Sequence, residues 1–238
     1  MQEVLSYVRR CVDDYNMIEE NDRIGVGVSG GKDSVLLLAA LHRLSLFYPK
    51  KFTIEGLTLD MGYESMDFSP VADFCRENEI PYTIKKTAIK EVIFDIRHEK
   101  NPCSLCAKMR RGALHDLALE RGIKKVALGH HFDDAVETLL LSLFYEGRIN
   151  SFLPVTFLDR KKITVIRPLL YIPEKMVRRT SKKLGLPVIF NPCPANGNTK
   201  RQEIKELLSD LERTMPGVKE RVFGAMQRYP LTGWETEK

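Results

Sequence analysis

The amino-acid sequence predicts an α/β fold: a doubly wound, five-stranded parallel sheet with helices on both faces and a helical C-terminal extension. Three observations support this prediction. Short apolar runs alternate with amphipathic runs along most of the chain, which is typical of a parallel sheet covered on both faces. The first apolar run ends in a glycine-rich turn that leads directly into an amphipathic run. Hydrophobic residues make up 43% of the 238 positions, enough for a sizeable core.

The elements follow from this alternation. The chain opens with an amphipathic helix, in which apolar residues from Val4 to Tyr15 recur at helical spacing. The short apolar runs predict strands at 24–28, 53–59, 81–86, 124–128 and 163–167. The amphipathic runs predict helices at 33–47, 67–78, 107–121, 132–145, 174–184, 200–213 and 217–228.

The most informative segment, which we call the glycine loop, lies between the first strand and the helix that follows. It reads Ser29-Gly30-Gly31-Lys32-Asp33-Ser34. Free amides and the positive end of the helix dipole make such a turn a phosphate site. Gly30 and Gly31 let the backbone approach a phosphate closely, and Lys32 adds a mobile positive charge. The sequence therefore predicts phosphate binding here, and a glycine turn without a ligand is the alternative.

Two common phosphate motifs do not describe this loop. A Walker A loop has Gly and then Ser or Thr at the positions that Val26 and Asp33 occupy. The stretch from Gly25 also matches G-x-G-x-x-G, but the next strand ends at Asp60, too far along for the ribose-binding acid of a dinucleotide fold. We expect Asp60 to line a nucleotide pocket or to be an ordinary acid at a strand end.

A second polar cluster follows the fourth strand. We call Gly129-His130-His131-Phe132-Asp133-Asp134 the histidine turn. In a doubly wound sheet, ligands bind where the strand order reverses, beyond the C-terminal strand ends, and the first and fourth strands flank that point. Asp133 and Glu137 share one helix face and are candidates to hold Mg²⁺ against ATP phosphates. The alternative is an acidic first turn that caps the helix.

The five cysteines fall into two groups. Two lie on apolar helical faces and are expected to be core thiols: Cys11 and Cys75. The other three are a C-x-x-C pair before a basic helix and a proline-flanked cysteine: Cys103, Cys106 and Cys193. These three allow a zinc site with His98 as the fourth ligand, a redox pair, or an iron–sulfur cluster held by three thiolates.

Charge and hydropathy narrow the function classes. No apolar run approaches the roughly 18 residues that span a membrane, and the N-terminus lacks a secretory segment. We therefore expect a cytoplasmic protein without structural disulfides. The net charge is +5, and the bunched basic residues suit either RNA or solvated helix faces. They lie at 108–111, 160–162, 178–183 and 200–201.

Taken in order, these motifs resemble the tRNA 2-thiocytidine synthetase branch of the PP-loop ATP pyrophosphatases. The resemblance extends from about residue 20 to residue 228. It rests on the glycine loop, Cys103–Cys106 followed by Arg110-Arg111-Gly112, the histidine turn, Ile166-Arg167-Pro168-Leu169, Cys193, and the tail from Arg201-Gln202-Glu203-Ile204 to Gly224-Ala225-Met226-Gln227. It implies a Rossmann-like fold of the PP-loop ATPase type, with a nucleotide-binding domain over residues 1–190 and a helical extension over 191–238 that carries Cys193.

The resemblance also implies a reaction. ATP would lie over the glycine loop, with its phosphates neutralised by Lys32, loop amides and Mg²⁺. AMP would be transferred to the carbonyl oxygen of a cytidine in the anticodon loop, and sulfur would then displace AMP. Asp33 and Asp133 would serve the ATP half, and Arg110 would reach phosphate or tRNA. The nucleotide-contacting residues would be Ser29, Gly30, Gly31, Lys32, Asp33, Ser34, Asp60, Gly129, His130 and Asp134.

In this family three cysteines hold a [4Fe–4S] cluster, a set that corresponds here to Cys103, Cys106 and Cys193. Family members often carry another cysteine shortly after the third ligand, whereas this chain has Pro194-Ala195-Asn196. Because activation and sulfur delivery must meet at one carbon, we expect the cysteines and the glycine loop to lie in one cavity. The implied partners are tRNA and a sulfur donor, either inorganic sulfide or a cysteine desulfurase. A homodimer is left open.

Three alternatives remain at this point. The chain is also compatible with a PP-loop enzyme that makes 2-thiouridine, or one that forms a lysidine-type amine adduct. The three cysteines argue against lysidine chemistry, which needs no sulfur handling. From a different class, a nucleotide- and zinc-binding RNA-binding protein without catalysis would use the same motifs.

Overall fold

The computed structural model describes residues 1–97, 102–193 and 199–229. The strands are β1 Asp22–Gly27, β2 Phe52–Asp60, β3 Tyr82–Lys86, β4 Lys125–Ala127, β5 Val155–Leu158 and β6 Ile163–Ile166. The α-helices are α1 Gln2–Asp14, α2 Lys32–Ser45, α3 Ser69–Glu77, α4 Pro102–Glu120, α5 Phe132–Glu146, α6 Glu174–Lys183, α7 Lys200–Thr214 and α8 Val218–Arg228. A short π-helix, Glu91–Ile96, precedes α4.

The strands form one sheet in the order β3-β2-β1-β4-β6-β5. The pairs β1–β2, β2–β3, β1–β4 and β4–β6 are all parallel. The strand order reverses between β1 and β4, as the sequence predicted. The glycine loop follows β1 and the histidine turn follows β4, so the topology sets both segments at the same edge of the sheet.

The sheet has six strands rather than the five that the sequence predicted. The additional strand, β5, pairs antiparallel with β6, and Leu158 is the register partner of Ile163. The tight connection between the two strands includes Lys162, whose φ is 52°. A four-residue strand at a sheet edge has too short a pattern to stand out in the sequence.

The helices agree with the sequence prediction apart from two points. The π-helix was not predicted. Helix α4 begins at Pro102, earlier than the predicted start at 107, so Cys103 and Cys106 lie within the first turns of the helix and not before it. Proline at the first helical position is favourable because it gives up no hydrogen bond there. The two cysteines are thus held one helical turn apart.

The core lies on both sides of the sheet and extends into the C-terminal helices. Cys11 and Cys75 are buried in it, as predicted. Helices α7 and α8 contribute buried side chains to the same apolar cluster: Ile204, Leu208, Phe223 and Met226. The division at residue 190 stays a prediction, since the extension shares its core with the rest of the chain. Within the described residues, no helix is both long and apolar enough to cross a membrane.

Candidate active site

The glycine loop is held closed by its two serine hydroxyls. The Ser29 amide donates to Ser34 Oγ at 3.1 Å, and the two hydroxyl oxygens lie 3.2 Å apart. Ser34 Oγ donates to the Gly31 carbonyl oxygen at 2.9 Å. Gly31 is the N-cap of α2 and has no capping side chain, so the first-turn amides of α2 can serve a ligand at the helix N-terminus.

The histidine turn packs directly against the glycine loop. A Cβ atom at Gly129 would lie 3.0 Å from the carbonyl carbon of Asp33 and 3.1 Å from the Ser34 amide nitrogen. Only glycine allows the two backbones to come this close without displacement. His131 caps α5: its Nδ1 accepts the Asp134 amide, and the Asp134 carboxylate accepts the His131 amide. The acids of this turn therefore do take part in capping, one of the two predicted roles.

A cavity of about 430 Å³, which we call the cysteine cavity, joins the glycine loop to the three cysteines. Its wall includes Lys32 and Asp33 of the loop together with Cys103, Cys106 and Cys193. All three thiols are free. The structure thus brings together the two groups of residues that the sequence predicted to share one cavity.

A second cavity of about 410 Å³, the strand-end cavity, lies over the C-terminal ends of β1, β2 and β4. Four residues line both cavities, so the two spaces adjoin: Asp33, Ala107, Arg110 and Asp134. His130 lines the strand-end cavity, and Arg110 stands between the thiols and this space. Asp60 is not part of either wall; its carboxylate accepts the Gly62 amide at 2.9 Å.

The cysteines differ in their surroundings. Burial raises the pKa of the Cys106 thiol, while the nearby Arg110 guanidinium opposes that shift. Burial and a hydrogen bond with Cys193 raise the pKa of Tyr63, which also lies close to Cys106. The thiols are therefore near one another and near one cation. Within the described residues, however, no three His, Cys, Asp or Glu side chains are gathered as metal ligands. His98 lies outside the described residues.

A backbone connection ties Cys193 to the glycine loop. Gly30 has a φ of +83°, a conformation that favours glycine, and its carbonyl oxygen accepts the Ile189 amide at 2.8 Å. The Ile189 side chain lies against Gly30 as well. Cys193 comes four positions later, and its amide donates to Asn191 Oδ1 at 3.1 Å. We call residues 189–193 the connector.

The acids of α5 are occupied by cations from the C-terminal helices. Asp133 accepts the Lys219 ammonium at 2.8 Å and the Glu174 amide at 2.7 Å, and it lines neither cavity. Glu137 lies 3.3 Å from the Arg201 guanidinium. Its pKa is raised by burial and by Asp134. The role of Asp133 towards ATP stays a prediction, and the geometry favours Asp134 for contact with a ligand.

Lys32 of the glycine loop has two carboxylate partners. Its ammonium lies 3.2 Å from Asp33 and 3.2 Å from Glu174, the first residue of α6. Burial by itself would lower the pKa of Lys32, but the two carboxylates outweigh it and raise that pKa. Burial would raise the pKa of Glu174, yet Lys205 and Lys32 hold it at about 2.

His130 is enclosed more deeply than a surface turn would suggest. Burial and the nearby Arg167 guanidinium lower its pKa to about 4, so the imidazole is neutral at pH 7. The rings of His130 and Phe152 lie 4.8 Å apart, and the Arg167 guanidinium is 4.9 Å from the centre of the same phenyl ring. The Nδ1 atom of His130 is buried without a hydrogen-bond partner in the part of the chain that the structure describes.

Half of the bunched basic residues are paired with carboxylates, which favours the solvated-face interpretation for these. The pairs are Lys161–Asp116, Lys162–Asp159, Arg178–Glu174, Arg179–Glu3, Lys200–Glu203 and Arg201–Glu137. By contrast, Arg110 and Arg111 form no ion pair with any described residue and both line the strand-end cavity. These two cations are the ones best placed to meet a polyanion.

Sequence reasoning did not single out Glu174, Tyr63 or Ile189. The sequence offered one weak signal for Glu174, because the helix dipole favours an acid at the start of a helix. That signal does not predict its ion pair with Lys32. Tyr63 and Ile189 carry no motif. All three reach the site through contacts between segments far apart in the chain.

The chain is similar to known proteins over almost its full length. A family model described as a PP-loop domain matches residues 4–211. A curated tRNA-cytidine(32) 2-sulfurtransferase from Geobacter metallireducens is 39% identical over 222 residues, 92% of this chain and 86% of the relative. A tRNA-cytidine(32) 2-sulfurtransferase from Coxiella burnetii is 36% identical over 227 residues, 94% of this chain and 89% of the relative.

Among solved structures, the U34-tRNA thiolase NcsA from Methanococcus maripaludis with its [4Fe–4S] cluster has the same fold. Its TM-score to this chain is 0.77 at 24% identity, with 95% of this chain and 77% of that chain covered. The match over residues 4–211, together with relatives at 36% and 39% identity that cover more than nine-tenths of the sequence, shows that this chain belongs to the PP-loop family, alongside the curated tRNA-cytidine(32) 2-sulfurtransferases.

Proposed function

We propose that the protein is an ATP-dependent tRNA sulfurtransferase that replaces the C2 oxygen of an anticodon-loop cytidine with sulfur. The observation that carries the proposal is the cysteine cavity, whose wall holds Lys32 and Asp33 of the glycine loop together with three free thiols. The curated relatives at 36–39% identity support the choice of tRNA and of cytidine. A purely nucleotide-binding protein has no need for thiols in the same cavity.

The ATP half of the reaction rests on the glycine loop. A cytidine carbonyl is a poor electrophile without a leaving group. Attack of its oxygen on the α-phosphorus of ATP releases pyrophosphate and leaves AMP on that oxygen. The α2 amides and Lys32 would neutralise the phosphates, and Arg110, which lines both cavities, would stabilise the charge that develops there. Mg²⁺ on Asp134 or Asp33 belongs to the proposal as the usual partner of ATP phosphates.

The sulfur half rests on the thiols. Soft thiolates select iron–sulfur clusters or zinc. The three thiols line one cavity with an arginine beside Cys106, so their chemistry fits such a group, although no three described side chains are gathered as ligands of a single metal ion. Cys103, Cys106 and Cys193 would hold a [4Fe–4S] cluster, which would supply an open iron as a site for sulfur. The enzyme's own residues then keep the activated base beside the thiols, so that sulfur reaches C2 as AMP leaves.

The proposal also includes the sulfur donor, the location, the oligomeric state and the tRNA contacts of the enzyme. Sulfur comes from inorganic sulfide or a cysteine desulfurase, the location is cytoplasmic, and a homodimer is compatible with the chain. Arg110 and Arg111 meet tRNA phosphate, because they are the cations of the site that carry no carboxylate partner among the described residues.

The products test the proposal directly. With ATP, tRNA and sulfide under anaerobic conditions, we expect AMP and pyrophosphate in solution and 2-thiocytidine in the digested tRNA, both detected by mass spectrometry. The variant Asp33→Ala should abolish AMP formation and keep the metal content. Release of ADP and phosphate would contradict the PP-loop chemistry, and 2-thiouridine in place of 2-thiocytidine would overturn the base assignment.

Cysteine variants separate a cluster from zinc in the same preparation. Cys103→Ala, Cys106→Ala and Cys193→Ala should each lose iron and activity while retaining ATP binding, whereas the control Cys75→Ala should keep both. Colourless protein that holds zinc, and that loses it equally in His98→Ala, would favour the non-catalytic zinc-binding alternative.

A further inference from the structure

We propose that Glu174 is the counter-ion that Lys32 gives up when a phosphate group binds the glycine loop, and that Glu174 thereby sets how tightly the site holds pyrophosphate. The inference rests on the proposed function, in which the glycine loop binds the phosphates of ATP. It assigns a positioning role to a residue outside every motif of the sequence.

The geometry makes Lys32 a shared cation. Its ammonium lies 3.2 Å from Glu174 and 3.2 Å from Asp33, its neighbour in the chain. Asp33 moves with Lys32, whereas Glu174 reaches in from α6 with a side chain only 12% exposed. All three residues line the cysteine cavity. A phosphate that binds beside Lys32 therefore has to compete with a fixed carboxylate for the same ammonium.

Glu174 does not depend on Lys32 for its position. Its Oε2 atom accepts the Lys205 ammonium at 2.5 Å, and its Oε1 atom accepts the Arg178 guanidinium at 3.2 Å. Its amide donates to the buried Asp133 carboxylate at 2.7 Å. The carboxylate therefore stays in place after Lys32 turns towards a phosphate, and it recaptures the ammonium when the phosphate leaves.

This arrangement matters most for product release. Pyrophosphate leaves as a free polyanion that keeps the negative charges of the β- and γ-phosphates, and a cationic loop would retain it. A fixed carboxylate beside Lys32 weakens that retention and lets the site turn over. Removing the carboxylate should strengthen pyrophosphate binding and slow its release.

The test is to measure, by isothermal titration calorimetry, how tightly the wild type and Glu174→Gln bind inorganic pyrophosphate and a non-hydrolysable ATP analogue. The amide keeps the shape of the side chain and the backbone bond to Asp133. We expect pyrophosphate to bind about 5- to 10-fold more tightly to Glu174→Gln, as for the loss of one half-buried competing ion pair. The matched control is Glu120→Gln, which removes the same charge from an exposed ion pair with Lys85 and should bind pyrophosphate as the wild type does.

A double-mutant cycle shows whether the effect passes through Lys32. In a Lys32→Met background, Glu174→Gln should leave pyrophosphate affinity unchanged. Unchanged or weaker binding in the single variant overturns the proposal, and weakening seen only with Mg²⁺ would identify Glu174 as a metal-facing ligand instead. An effect that persists without Lys32 also overturns it. A wild type that binds neither pyrophosphate nor the analogue would overturn the proposed function itself.

Discussion

At the scale of single residues, the close contact between the histidine turn and the glycine loop depends on Gly129, which has no side chain. The predicted outcome of Gly129→Ala is a displaced glycine loop, because the new Cβ would meet Asp33 and Ser34 backbone atoms at 3.0–3.1 Å and neither can give way alone. We expect a loss of about 1–3 kcal/mol in the free energy of unfolding and weaker ATP binding. Chemical denaturation and nucleotide titration measure the two effects.

Gly112→Ala is the matched control for this prediction. Gly112 lies inside α4, and a Cβ there meets nothing within 4 Å. Alanine should therefore stabilise the helix by up to about 1 kcal/mol. If the two alanine variants had the same stability and the same ATP affinity, the contact at Gly129 would contribute nothing to either property.

The sequence predicted that the motifs of the site lie together, and the structure brings them together, although Asp133 and Asp60 line neither cavity. The glycine loop, the histidine turn and the three cysteines meet because the sheet order brings the β1 and β4 ends together. It did not predict their ion-pair partners. Glu174, Lys205 and Lys219 reach the site from helices whose local pattern only says that one face is polar.

At the scale of elements, helix α8 is tied to α5 by one partly buried ion pair. Lys219→Met should remove about 2 kcal/mol from the free energy of unfolding, because the carboxylate of Asp133, 10% exposed, would lose its lysine partner and keep the Glu174 amide as its hydrogen-bond donor among the described residues. Denaturation should show the loss, and hydrogen exchange should show faster opening of α8.

The control breaks an ion pair of the same chemistry on the surface. Arg213→Met removes the partner of Asp210, and both side chains are well exposed. Such pairs contribute little, so no measurable change in stability is expected. If Lys219→Met also left the free energy of unfolding unchanged, the Asp133 carboxylate would have to pair with another cation or take up a proton at little cost.

Elements were predictable in proportion to their length and pattern. The long amphipathic helices and the buried parallel strands were found within a few residues of their ends. Strand β5 was missed because four residues with partly buried side chains show no clear alternation. The π-helix was missed because a six-residue segment with a wider turn departs from the 3.6-residue period that identifies helices.

At the scale of the whole molecule, the C-terminal helices share their apolar core with the sheet. Phe223 of α8 packs on Phe132 of α5 with ring centres 4.8 Å apart, and Met226 is 3% exposed. We therefore expect the full chain to unfold in one cooperative transition, with the same midpoint by circular dichroism and by fluorescence. A chain that ends at residue 190 should be markedly less stable. Two separate transitions would support a true domain boundary at 190.

The connector adds a constraint of a different kind. Its first residue is fixed to Gly30 and its last is Cys193, so the distance that the thiol can reach is set by the number of residues between them. Four extended residues span at most about 14 Å. The connector therefore acts as a spacer of fixed length. Exchanging the side chains at 190 or 192 should alter the position of the Cys193 thiol little, whereas inserting or deleting one residue should shift it by several ångströms. Related chains should therefore differ freely at positions 190 and 192 and hardly at all in the length of this interval.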